Sequence, residues 1–323
     1  MTPEAPTPPV RLSVVIAAYN AEQTLGDQLD ALAAQDAPFT WEVIVSDNGS
    51  SDGTRRVAES YAARLPHLTV LDSSATRGPG AARNVGAQAA RGAGLAFCDA
   101  DDVVAPGWGA AMDEALQGQT LVTGTSRRAE LGTQRNEHRL FEWSRYVAPF
   151  FPQLPGAGAG NLGVDAGLFE SLGGFDTRLR TGEDVDLCWR AQLAGHHLGH
   201  APAAMVDVTN RAGLRATFRQ HFAYGSGNRL LIVKFADVIA AYADLPHWQP
   251  PATSAHGSSG SPPETDAAPS LAARVVRKLR RTRHLSELEH VASRAGYAAG
   301  RRWGTTDTTI EPLPVPPAGP LVP

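Results

Sequence analysis

Apolar residues in this chain fall into short runs separated by polar turns, and the runs switch between two periods. Residues 11–18, Arg-Leu-Ser-Val-Val-Ile-Ala-Ala, form a β-branched and nearly all-apolar run of the kind a central parallel strand requires. From Ala21 to Gln35, Leu25, Leu29 and Leu32 recur at helical spacing. The same reading predicts strands over Trp41–Val45, Leu68–Asp72 and Gly94–Cys98, with helices over Thr54–Arg64 and Ala81–Arg91 between them. Strand and helix in regular alternation predict an α/β fold with a parallel sheet.

The second half is less regular. A strand is expected at Leu121–Gly124. An aromatic-rich stretch follows at Phe141–Phe151, then a Gly-rich one at Pro155–Gly163. A helical pattern starts at Asp184 and a last strand covers Ala204–Val208. Leu214–Phe235 reads as a helix interrupted at Gly225-Ser226-Gly227. The composition changes at Pro246, and residues 246–270 read as a flexible Pro/Ser/Gly-rich linker. Residues 271–304 read as a basic amphipathic helical segment, in which Ser286-Glu287-Leu288-Glu289 fits a capping box opening a second short helix. Residues 1–10 and 305–323 are Pro-rich and expected to be disordered. The expected catalytic domain is residues 11–245.

Composition narrows the picture. At 323 residues with 42% hydrophobic content, the chain can bury a sizeable core. A formal net charge of −4 argues against a nucleic-acid partner. Two cysteines, Cys98 and Cys188, make neither a disulfide framework nor a zinc cluster, which suits a reducing compartment. With no apolar signal core and no run of roughly 18 apolar residues, a cytoplasmic location is expected. The basic 271–303 segment, with nine Arg/Lys against two Glu, would suit peripheral contact with the inner face of an anionic membrane. A solvated or docked helix is the plainer alternative.

The chemistry concentrates at Asp99-Ala100-Asp101-Asp102, where an apolar strand ends. Ligands of open α/β sheets bind beyond the carboxyl ends of the strands. Clustered carboxylates repel one another, and a hard divalent cation (Mg²⁺ or Mn²⁺) relieves that repulsion while bridging to phosphates. An Asp-rich helix cap is the alternative. Gly78-Pro79-Gly80 precedes a helix with Arg83 in its first turns, a combination that suits an anion. Glu183 and Asp184 open another helix. Neither a P-loop nor a Gly-x-Gly-x-x-Gly after the first strand is present.

Six segments in order, Val14–Asn20, Asp47–Thr54, Gly80–Gly86, Asp99–Asp102, Gly173–Asp176 and Glu183–Leu187, strongly resemble family 2 glycosyltransferases of the GT-A fold over residues 11–235. The resemblance implies a Rossmann-like, mostly parallel sheet flanked by helices. It also implies an inverting, metal-dependent hexosyl transfer from a nucleotide-diphospho-sugar, a UDP-sugar above all. The acceptor would be a hydroxyl in glycan, polysaccharide or glycolipid synthesis, on a glycan or lipid-linked molecule. By the resemblance, Ala17, Tyr19, Asp47, Asn48, Arg83 and Asp99 serve the nucleotide and donor. Asp101 and Asp99 serve Mn²⁺ or Mg²⁺, and Asp184 is the base. Asn161 and Glu183 are candidates for the acceptor or sugar site. Relatives often carry a histidine after the last strand; here Asp207 lies in that stretch and would replace it as a metal ligand or leave the contact absent. A sugar nucleotidyltransferase and a non-catalytic nucleotide- or glycan-binding protein are the competing expectations. The first lacks its Gly-rich signature after the opening strand.

Overall fold

A computed structural model describes residues 9–65, 67–131, 138–209, 213–250, 285–304, 307 and 309–316. The expected linker at 251–270, residues 271–284 of the basic segment, and most of both Pro-rich ends lie outside the described residues.

Four strands lie parallel: β1 (Leu12–Ala18), β2 (Trp41–Asp47), β3 (Leu68–Asp72) and β4 (Gly94–Asp99). Helices α1 (Leu25–Ala33), α2 (Thr54–Ser60) and α3 (Pro79–Ala89) connect them. The sheet continues through β5 (Val103–Val104), β6 (Leu121–Leu131), β10 (Asn161–Asp165) and β11 (Gly199–Asp207) in the order β3-β2-β1-β4-β10-β6-β11-β5. Strand β7 (His138–Trp143) pairs with β6. Strands β8 (Tyr146–Ala148) and β9 (Phe151–Gly156) make a separate two-stranded sheet. The sheet is mixed beyond β4, because β10 runs antiparallel to both β4 and β6. Helices α4 (Trp108–Gly118), α5 (Ala166–Ser171), α6 (Glu183–Leu193), α7 (Leu214–Lys234), α8 (Ala236–Ala241) and α9 (Leu285–Trp303) complete the fold.

Strand periodicity explains the layering. Successive side chains of β1 point to opposite faces, so Val14 and Ile16 pack with Leu25, Leu29 and Trp108, while Val15 packs with Phe97, Phe169 and Phe175. A third cluster joins Phe151, Trp189, Leu231 and Phe235. The aromatic-rich segment is therefore split: Phe151 stacks edge-on against Trp189 with ring centroids 5.0 Å apart, whereas Tyr146 stays largely exposed.

One expectation about the last helices is corrected. Helix α7 runs unbroken through Gly225-Ser226-Gly227. These glycines mark where other backbone comes close. A Cβ on Gly225 would lie 2.2 Å from the Tyr297 carbonyl, and one on Gly227 would lie 2.3 Å from the Thr181 carbonyl. The segment expected to hold a second short helix is helical over Leu285–Trp303, 19 residues of the described chain that make up α9. It lies along α7 in parallel, with Gly296 against Phe218 and Gly300 against Phe222. No helix among the described residues is long and apolar enough to cross a membrane.

Candidate active site

The sheet's strand order reverses at β1, with β2 on one side and β4 on the other, which is the switch point where such sheets bind ligands. Register aligns the strand ends there: Ala17 pairs with Asp99 and Ala18 with Asp47. A cavity of about 1050 Å³ opens beyond them, lined by Ala17, Tyr19, Asp99 and Asp101 on this side. Pro79 and Arg83 of α3 also face it, so a helix N-terminus points at the cavity as the sequence suggested. Tyr19 is 59% exposed at the rim, with the Arg77 guanidinium 5.4 Å from its ring centroid.

Arg83 is the hinge of the site. Its Nη2 donates to Asp99 Oδ1 at 2.6 Å and its Nη1 donates to Glu183 Oε1 at 2.9 Å. One buried guanidinium thus ties the end of β4 to the start of α6. Asp184 stands next to Glu183 on the cavity wall. Its Oδ1 accepts from the Val185 amide at 2.8 Å and its Oδ2 from the Ala159 amide at 3.3 Å. Burial, then the neighbouring Asp184 charge, push Glu183 up to about 7 against the pull of Arg83. Burial also raises Asp184 above the ordinary carboxylate range. A carboxyl shifted upward in this way lies closer to the working pH, as suits a general base.

Other expected residues sit elsewhere. Asn48 is fully committed: its amide donates to the Ser73 and Thr76 carbonyls, and its Oδ1 accepts from the Gly78 amide. Asp47 is buried and accepts from the Ser50 amide and hydroxyl. Both shape the loops behind the cavity and are not on its wall. Asn161 is a core residue, taking the Trp108 indole N–H and donating to the Thr125 and Ala204 carbonyls. Both of its amide hydrogens are taken by protein carbonyls. Asp207 places both oxygens on Arg127 and does not line the cavity.

The residues present fit a divalent cation held partly by substrate. Among the described residues, no three His, Cys, Asp or Glu side chains converge as a closed cage. Asp99 and Asp101 nevertheless offer hard oxygen donors on one cavity wall. Asp99 Oδ2 is approached so closely by Gly160 that a Cβ there would lie at 2.8 Å. Magnesium commonly takes one or two carboxylates and completes its shell with water and phosphate oxygens.

The far wall was not foreseen in the sequence. It comes from α7 (Gln220, His221, Tyr224, Asn228) and from Tyr297 of α9, with Trp143 and Tyr146 also lining the cavity. Behind α6, Lys234 of α7 joins Asp176 at 2.7 Å and also pairs with Asp186, which is in turn held by Arg190. These contacts join residues far apart in sequence, and no local spacing announces them.

Residues 13–169 match the family model described as Glycosyl transferase family 2. That span contains Arg83, Asp99 and Asp101 but stops short of Glu183, Asp184, α7 and α9. The chain is 29% identical over 210 residues to the pre-mycofactocin glycosyltransferase of Mycobacterium tuberculosis, covering 61% of this chain and 44% of that protein. It is 31% identical over 201 residues to the glycosyltransferase AglE of Haloferax volcanii, covering 59% and 64%. The matched region thus spans about half to two-thirds of the length of these curated relatives. The mannosyltransferase PcManGT from Pyrobaculum calidifontis, solved with GDP-Man and Mn²⁺, shares the fold. Its TM-score is 0.60 at 17% identity, covering 92% of this chain and 88% of that one.

Proposed function

Residues 13–169 belong to glycosyl transferase family 2, and from that premise we propose that this chain is an inverting, metal-dependent glycosyltransferase using a nucleotide-diphospho-sugar. The observation that carries the proposal is Arg83, which holds Asp99 of the strand end and Glu183 of α6 together beside Asp184 on one cavity.

The steps follow from the side chains. The diphosphate binds at the α3 N-terminus and Arg83, where backbone dipole and guanidinium both favour anions. Asp99 and Asp101 are the residues to hold Mn²⁺ or Mg²⁺. The chemistry such an ion supplies is neutralisation of charge on the departing diphosphate. Asp184 accepts the proton of the acceptor hydroxyl. That oxygen attacks the anomeric carbon as the carbon–oxygen bond to the diphosphate breaks and its electron pair leaves with the nucleotide. A single displacement with no carboxylate–sugar intermediate inverts the configuration. The GDP-Man and Mn²⁺ held by PcManGT support the donor and metal classes. A UDP-sugar is the donor proposed first, and glycan, polysaccharide or glycolipid synthesis is the proposed setting. A cytoplasmic position at the membrane's inner face, with the basic 271–303 segment on an anionic lipid surface, belongs to the same proposal.

The test is calorimetric titration of UDP and GDP with and without Mn²⁺, followed by NMR of the product formed from the matching sugar donor. Metal-dependent nucleotide binding and an inverted anomeric centre are expected. Binding of neither nucleotide, or a retained configuration, would overturn the proposal.

A further inference from the structure

The cavity reaches residues beyond the family-2 match, and its far wall has a chemistry of its own. That wall lies wholly outside residues 13–169. It is built from two parallel helices, α7 and α9, fastened backbone to backbone. A Cβ on Gly300 would lie 2.0 Å from the Phe222 carbonyl, and one on Gly296 would lie 2.4 Å from the Phe218 carbonyl. This contact sets Tyr297 on the cavity, where its hydroxyl accepts from Asn228 Nδ2 at 2.7 Å.

Each polar group on this wall is pre-oriented by a neighbour. The Gln220 amide donates to the Tyr224 hydroxyl at 2.9 Å. His221 Nδ1 lies 2.9 Å from the Thr217 carbonyl, which can only accept, so in the neutral ring Nδ1 carries the proton and Nε2 is an acceptor. The Tyr297 hydroxyl already accepts from Asn228 and keeps its own proton to donate. The rings of His221 and Tyr224 meet edge to face with centroids 5.6 Å apart. Flat rings interleaved with amides, an imidazole and a phenol suit a ligand with an apolar C–H face and a rim of hydroxyls. They suit a lipid chain poorly, since burying these polar groups against hydrocarbon would leave them unpaired. A strongly anionic group would stand near Glu183 and Asp184, which line the same cavity.

We propose that α7 and α9 form the acceptor subsite, that the group bound there is a saccharide ring, and that Tyr297 and Asn228 help determine which ring is accepted. The proposal rests on the transferase reading of the same cavity: Asp184 lines it too, so a hydroxyl of a ring held by Tyr297 can be offered to that carboxylate. It assigns to α9, beyond the catalytic fold, a part in substrate choice.

The full chain is examined by saturation-transfer NMR with cellobiose, mannobiose and N,N′-diacetylchitobiose, each with UDP or GDP and Mg²⁺ added in parallel. The wild type should saturate at least one disaccharide. Tyr297→Phe should weaken that disaccharide roughly tenfold, the worth of one hydrogen bond of about 1.4 kcal/mol, with nucleotide affinity unchanged. Asn228→Ala, which leaves α9's packing glycines intact, should weaken it similarly. Saturation of no disaccharide in the wild type, or wild-type affinity in both variants, overturns the subsite while nucleotide binding persists. Loss of nucleotide binding in the wild type would instead overturn the transferase reading.

Discussion

Arg83 Nη1 lies 2.9 Å from Glu183 Oε1, joining residues one hundred positions apart in the chain. Both side chains are about 6% exposed. A buried ion pair of this kind costs heavily in desolvation and suffers most when one partner alone is removed. Arg83→Ala should therefore destabilise the fold by about 3 kcal/mol and weaken nucleotide-diphosphate binding. Arg83→Lys should recover part of the stability, but a point-like ammonium cannot span Asp99 and Glu183 as the guanidinium fork does. Chemical denaturation and calorimetry on the two variants check both statements.

Asp184 and Glu183 set the pH dependence. Both carboxyls are raised, Glu183 up to about 7, so each keeps its proton to higher pH than an ordinary acid. The base form is present above that range and lost as pH falls through it. The rising limb of kcat/KM should lie above the pH at which an ordinary aspartate ionises. Glu183→Gln removes the charge next to Asp184 and should move the limb to lower pH. Asp184→Asn should reduce kcat by roughly 10²–10⁴ with nucleotide affinity nearly unchanged. A pH–rate series over the three proteins separates these outcomes.

Asp101→Ala should abolish most of the gain in nucleotide affinity that Mn²⁺ provides, while leaving the melting temperature close to that of the wild type. Asp101 lines the cavity and is outside the three apolar clusters. Titrations of UDP and GDP with and without the ion give the result, and an undiminished metal effect in the variant would refute the assignment.

Asp176 is half-buried, which alone would raise its pKa, yet hydrogen bonds from Arg178 and Lys234 hold it well below the ordinary carboxylate value. A lowered carboxylate adds stability at pH values above its unfolded value and loses it as pH falls through the folded one. Acid unfolding below about pH 4 should accordingly be steep. Asp176→Asn should cost about 1–3 kcal/mol at neutral pH, because Lys234 and Arg178 lose a charged acceptor while Lys234 keeps Asp186, and should flatten the acid limb. Urea unfolding at several pH values reads both effects.

Gly300→Ala places a methyl 2.0 Å from the Phe222 carbonyl. Helix α9 must shift, and amides of residues 291–303 should lose hydrogen-exchange protection while β1 and β4 keep theirs.

The first half of the fold was legible because its signals are local. The β1 run of Val14, Val15 and Ile16 and the α1 leucines each declare their element within a few residues. The apolar run of β4 by itself puts Asp99 at the strand terminus. Asp47, Asn48, Asn161 and Asp207 were placed by resemblance as ligand contacts. In the structure Asn48, Asn161 and Asp207 also have protein partners, which only packing reveals. The Gly225-Ser226-Gly227 segment misled for a definite reason: glycine lowers helix propensity in isolation, but here it admits a second backbone. The Lys234–Asp176–Asp186 cluster and the α7–α9 wall are products of tertiary closure, and no period in the sequence encodes them.

The α7–α9 contact separates two kinds of evolutionary freedom. The positions that fasten α9 carry no side chain and tolerate none, so they are fixed by sterics. Tyr297, between them, is held by a single hydrogen bond to Asn228 and carries no packing duty in the three apolar clusters. Drift at position 297 can therefore alter what the cavity meets without unseating the helix or disturbing Asp99 and Arg83 at the opposite end. The last helix acts as an exchangeable faceplate on a separately held engine, open to retuning by one or two codons.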